Sequence, residues 1–222
     1  MPLSALERAE LLGRLAEGKR IFSSIEDAFK KSASSCMVVT SATRGEGKTL
    51  TTAGLAILAA NYTSKRVLVA DLNWFAPGLH SYFGLEQTVD LDTMANAEHV
   101  LDFAQPSGHE LLKVLPAPKI AAGQGGTAQS QLAARIVEQA CADYEIVIID
   151  SSSVFPANRY MIDPVTLAKN ADDTILVVLA NVTARQEVKR AAMTLASAGA
   201  TLTGVIVNQW KNPLAPQSST RK

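Results

Sequence analysis

Cysteine is scarce in this chain: Cys36 and Cys141 are the only two in 222 residues, and neither stands in a metal-ligand spacing such as C-x-x-C. A disulfide framework and a cysteine-held metal are excluded, and both thiols read as buried free groups in a reducing compartment. Net charge is lacking too, because 21 Lys and Arg are balanced by 21 Asp and Glu. Without a field that draws polyanions, the chain is not expected to bind nucleic acid or an anionic membrane by charge. No apolar run approaches the ~18 residues that span a bilayer. The start, MPLSALER, carries an acidic residue and no long apolar stretch, so it is neither a secretory signal nor a transit peptide. The expectation is a cytoplasmic protein with no direct membrane insertion. Internal repeats at a fixed period are missing as well.

What the chain does have is enough apolar residue, 47%, to bury the core of one domain. Leucines at 3, 6, 11, 12 and 15 predict an amphipathic helix closed near Gly18, and residues 25–31 a further helical turn. Runs at 36–40, 66–71, 144–150, 174–179 and 202–208 read as strands, the last four buried on both faces, with Ala- and Leu-rich helices at 49–62, 127–142, 160–171 and 184–199 between them. That alternation predicts a doubly wound α/β fold, a mostly parallel sheet with helices on both faces. The stretch 84–126 reads as an insertion rather than core, with 123–126 a loop. The expected organisation is a helical segment at 1–34, one α/β domain at 35–211, and a disordered polar tail at 212–222.

The chemistry concentrates in the run ATRGEGKT at 42–49, between a predicted strand and a predicted helix. Successive backbone N–H groups of such a loop point inward, and the helix start adds positive potential, so the segment is a phosphate trap of the P-loop type. Gly45 and Gly47 let the backbone close on a phosphate, Lys48 can reach the outer phosphates, and the Thr49 hydroxyl can ligate Mg²⁺. Arg44, Glu46 and Leu50 complete the expected contact set for ATP or ADP. Asp71 and Asp150 each end a predicted strand, the edge where an open α/β sheet places its ligand. Asp150 reads as the acid of the metal shell, and Asp71 as a base or a further metal-shell residue. Asn208, also at a strand end, either pairs with the adenine edge or is a turn residue before Gln209. Asp172, Asp173, Lys189 and Arg190 read as solvated charges, and the histidines at 80, 99 and 109 as holding no metal.

Taken in order, these motifs resemble the bacterial tyrosine kinases of capsule and exopolysaccharide synthesis, the BY-kinases, within the wider Min/Par-type P-loop ATPases. The resemblance runs from about 36 to 209 and rests on TSATRGEGKT at 40–49, LVAD at 68–71 with PGLH at 77–80 and FGL at 83–85, YEIVIID at 144–150, LAKNAD at 167–172, Thr183, Gly199 and GVIVN at 204–208. It implies phosphoryl transfer to tyrosine or ATP hydrolysis, with Lys48 and Asp71 catalytic and Thr49, Asp71 and Asp150 around Mg²⁺. It further implies homo-oligomers and a membrane-embedded polysaccharide chain-length regulator acting in trans. The chain departs from the pattern at several places. Where the family has Asp-x-Asp-x-Arg, this chain has Asp71, Asn73 and Phe75, which removes one carboxylate and one cation. A Ser151–Ser153 run, expected to be more mobile, replaces Thr-Pro-Pro after Asp150. No tyrosine follows Tyr160, so self-phosphorylation in a C-terminal cluster is not expected, and the oligomerisation motif has at best a remnant at 27–31. Asn73 and Phe75 favour an alternative, a nucleotide-dependent scaffold or pseudokinase. A positioning ATPase of the Min/Par kind is a third reading, although Thr43 stands where those proteins usually have a lysine.

Overall fold

The computed structural model describes residues 16–30, 34–121, 127–156 and 161–209, together with Glu7. Most of the leucine-rich N-terminal stretch, the 123–126 loop and the 212–222 tail lie outside the described residues. The described strands are β1 (Ser35–Ser41), β2 (Val67–Asp71), β3 (Gln105–Pro106), β4 (Leu112–Leu115), β5 (Ile146–Asp150), β6 (Asp173–Leu179) and β7 (Leu202–Asn208). They form one sheet in the order β3-β4-β2-β5-β1-β6-β7, parallel throughout except for β3 against β4.

Helix α1 (Ala16–Ile25) precedes β1. Parallel neighbours need crossovers, and the later helices lie on them: α2 (Lys48–Tyr62), α3 (Leu91–Asn96), α4 (Thr127–Asp143), α5 (Pro164–Lys169) and α6 (Arg185–Ser197). Because side chains alternate along a strand, the β-branched runs feed two cores. Met37, Val39, Val67, Val69, Ile146 and Ile148 meet α1 and α2 on one face. Cys36, Val38, Leu68, Ala70, Val147 and Ile149 meet α3 to α6 on the other. The doubly wound α/β expectation therefore holds. Local signals fix the helix ends where they can. Asp163 accepts bonds from the Val165 and Thr166 amides at the start of α5, with Pro164 at its first position.

Four sequence expectations need correction. Gly18 does not close a helix; α1 runs through it, because burying Phe22 and Ile25 outweighs the ~1 kcal/mol that glycine loses in a helix. The 84–126 stretch is not a mere insertion. It adds two strands, β3 at the edge of the sheet and β4 between it and β2, and Leu91, Met94, Val100, Leu112 and Val114 are buried. Nor is β7 buried on both faces: as the last strand of the sheet it leaves Val205 and Val207 48% and 61% exposed. Of the charges read as solvated, Asp173 is buried and accepts a short bond from the Thr203 hydroxyl, and Asp172 accepts the Cys36 N–H at 2.8 Å. Arg190 lies 4.1 Å over the Phe155 ring. The two thiols are free, Cys36 buried and Cys141 half-buried.

Candidate functional site

β1 ends at Ser41, and the chain turns through 42–47 before α2 begins at Lys48. Gly45 and Gly47 take φ of 82° and 88°, the left-handed region that glycine enters without steric cost. No side chain caps α2, and its first turn carries no acid, so its leading N–H groups face the loop without a bound carboxylate. Such a helix start attracts anions. Lys48 is 7% exposed. Burial pulls its ammonium below the usual lysine range, and the Asp150 and Glu46 carboxylates act against that shift.

Asp71 and Asp150 are register partners at the ends of β2 and β5. Thr49 donates its hydroxyl to Asp150 Oδ2 at 2.7 Å, and Thr52 donates to Oδ1 at 3.4 Å. Burial first, and then the charge of Asp71, push the Asp150 carboxyl up to about 8. Asp71 is more fully occupied. Its Oδ1 accepts the Asn73 amide at 3.0 Å, while Oδ2 accepts the Gly78 and Leu79 amides at 3.1 and 3.0 Å. Burial raises it, and those three amides lower it. Two buried carboxylates and a hydroxyl at one sheet edge are a hard-oxygen donor set that suits Mg²⁺.

Arg44, Gly45, Gly47, Lys48, Thr49 and Leu50 form one wall of a cleft of ≈ 290 Å³, faced by Asn73, Phe75, Ala76, Tyr82, Ser152, Ser153 and Met161. A larger hollow of ≈ 610 Å³ opens beside Arg66, Leu111 and Tyr144, at the strand starts. The loop and carboxylates lie at the opposite edge, where α/β sheets hold ligands.

Four candidate residues do not line this cleft: the strand-end Asp71 and Asp150, the loop's own Glu46, and Asn208. The Glu46 side chain is buried and turned inward, accepting the Thr43 amide at 2.7 Å and a short bond from the Thr183 hydroxyl. Asn208 donates its amide to the Glu46 carbonyl at 3.0 Å, so it braces the loop. Asn73 spends both ends of its amide internally, on Ala76 O and the Ser152 hydroxyl, each at 3.0 Å. The 151–153 run is buried and every hydroxyl in it is bonded, contrary to the expected mobility. Sequence reasoning missed Thr52, Ser152 and Met161. A threonine one helical turn after Lys48 was a usable signal for the first alone.

A Cβ built at Gly47 runs into the Asn208 amide nitrogen. Gly47→Ala is expected to lower stability by about 1–3 kcal/mol, combining left-handed strain with the displaced Asn208. Urea unfolding of the variant, alone and combined with Asn208→Ala, measures the part that the clash contributes.

Residues 37–220 match the family described as the CobQ/CobB/MinD/ParA nucleotide binding domain. Tyrosine-protein kinase YwqD of Bacillus subtilis (strain 168) is 31% identical over 173 residues, 78% of this chain and 71% of that one. The chimerical protein CapA2B2 is similar in structure with a TM-score of 0.76 at 25% identity, over 92% of this chain and 89% of that one. The septum site-determining protein MinD of Pyrococcus horikoshii OT3, solved with Mg-ADP, gives 0.65 at 18% identity over 80% and 71%, a likeness of fold. These are the kinds of protein that the ordered motifs resemble.

Proposed function

The chain belongs to the CobQ/CobB/MinD/ParA nucleotide binding domain family, and from that membership we propose that it binds ATP or ADP with Mg²⁺ at the 42–49 loop and transfers or hydrolyses the terminal phosphoryl group. The observation that carries the reading is the 2.7 Å bond from Thr49 to Asp150 beside the buried Lys48. In this reading the loop amides and Lys48 hold the phosphates, while Thr49 and Asp150 hold the metal. When bound, Mg²⁺ supplies charge neutralisation on the outer phosphates. Asp71 has lone-pair capacity left on Oδ1 to orient a hydroxyl or water. The biological setting proposed is polysaccharide polymerisation or export from the cytoplasmic side, with a membrane-embedded chain-length regulator in trans and homo-oligomers in play. Among the described residues no helix is long and apolar enough to cross a membrane, which fits a partner supplying the anchor. The division into 1–34, 35–211 and 212–222 is proposed on the same footing.

One observation favours a scaffold with little chemistry: Asn73 is an amide, not an acid, and is tied up internally. Incubation with γ-labelled ATP and Mg²⁺, following both phosphate release and protein labelling, separates the two. Turnover above a no-protein control is the expected result; binding without release or labelling supports the scaffold.

A further inference from the structure

We infer that Arg44 recognises the terminal phosphate of the nucleotide and that Phe75 is the positioning residue that aims it, so that the pair sets a preference for ATP over ADP. The inference rests on the nucleotide reading above. Arg44 sits in the loop with its Cζ 4.5 Å from the centroid of the Phe75 ring, and its Nη2 is 3.9 Å from Met161 Sδ. All three residues line the cleft that holds Lys48 and Thr49.

Three physical points lead from that contact to the terminal phosphate. Among the described residues, Lys48 and Arg44 are the two cations lining the cleft, and Lys48 already sits under the attraction of the Asp150 and Glu46 carboxylates. Arg44 is held instead by a neutral ring and a thioether, which fix its position without cancelling its charge. Neither neighbour is an anion or a strong acceptor, so the guanidinium N–H donors other than the Nη2 turned to Met161 Sδ are left for phosphate oxygens. The direction of lean matters as well. Phe75 follows β2, whose last residue is Asp71, whereas Asn208 braces the loop from the β7 side. Arg44 is thus drawn toward the side of the acidic pair, where the metal and the outermost phosphate belong, and away from the β7 side. ADP lacks the group that Arg44 would meet.

The 222-residue chain with Mg²⁺ is titrated by calorimetry with a non-hydrolysable ATP analogue and with ADP. The wild type is expected to bind the triphosphate at least about tenfold more tightly than ADP, the scale of one charge-assisted contact. Arg44→Ala should bring the two affinities within about twofold by weakening the triphosphate alone. Phe75→Ala and Phe75→Leu should act in the same direction, and Phe75→Trp should restore the preference. Arg44 and Phe75 lie at the surface, so folding is checked by thermal melting and should not change. Equal affinities in the wild type overturn the inference, as does an Arg44→Ala variant that keeps the preference or loses ADP equally. Loss of preference on removing Arg44 but not Phe75 overturns the positioning role. If the wild type binds neither nucleotide, the nucleotide site itself fails, which is a separate result.

Discussion

Replacing Lys48 with Met should abolish measurable ATP binding and any turnover while leaving the protein folded. The side chain is almost fully buried, so its ammonium is held at a desolvation penalty that only neighbouring anions offset. Removing the charge relieves that penalty. It also leaves Asp150 without a counter-charge, but Asp150 has a pKa of about 8 and can keep its proton near neutral pH. Stability is therefore expected to change by no more than about 1–2 kcal/mol, an ordinary value for one substitution. For a bound nucleotide the balance is different. The phosphates lose their most buried cation, and a charge–charge contact to a buried ammonium is worth several times its value in water. A drop in affinity of two orders of magnitude or more is expected, and calorimetry beside a thermal melt measures both effects. Unchanged affinity would mean that the phosphates do not sit against the 42–49 loop.

The second large effect concerns acid and base. Asp150 has a folded-state value of about 8 against an ordinary 3.8, and Asp71 is displaced in the same direction. Between those limits the unfolded chain has released protons that the folded chain still holds. The contribution of this acidic pair to the stability of the nucleotide-free protein should therefore be full near pH 4, fall as pH rises toward 8, and level off above. One such group gives a slope of at most about 1.4 kcal/mol per pH unit. Asp150→Asn should flatten much of the slope and raise stability near pH 8. Saturating Mg²⁺ and nucleotide should do so by another route, because a bound cation favours the ionised carboxylate. Urea titrations at pH 5, 6, 7 and 8 test this, and stability that holds level or increases across the series refutes the assignment of a strained acidic pair.

Much of the fold was legible because the five long strands announce themselves as β-branched runs with a glycine-rich turn after the first. The edges were not. β4 is four residues long, interrupted by Lys113 and followed by Pro116, so it lacks the periodicity that identifies a strand. β7 has the same apolar letters as a central strand, and only its position at the end of the sheet exposes Val205 and Val207. At the site, residue type and spacing pointed to Lys48, Thr49, Asp71 and Asp150, which the fold brings to one edge. Which hydrogen bonds each side chain already makes could not be read from letters. The bonds that commit Asp71 to the 73–79 turn and Asn73 to Ser152 join segments whose approach depends on the tertiary arrangement.

Glu46 links the loop to distant parts of the chain. Its two carboxylate oxygens serve Thr43 and Thr183, its carbonyl serves Asn208, and Thr183 in turn accepts the Leu179 amide. The loop thus meets, at a single knot, two stretches that lie 137 and 162 residues further along the chain. The strap that would wrap a triphosphate cannot flex by itself. Any tightening or slackening there would either break these bonds or pull on the exits of β6 and β7, at the far margin of the sheet.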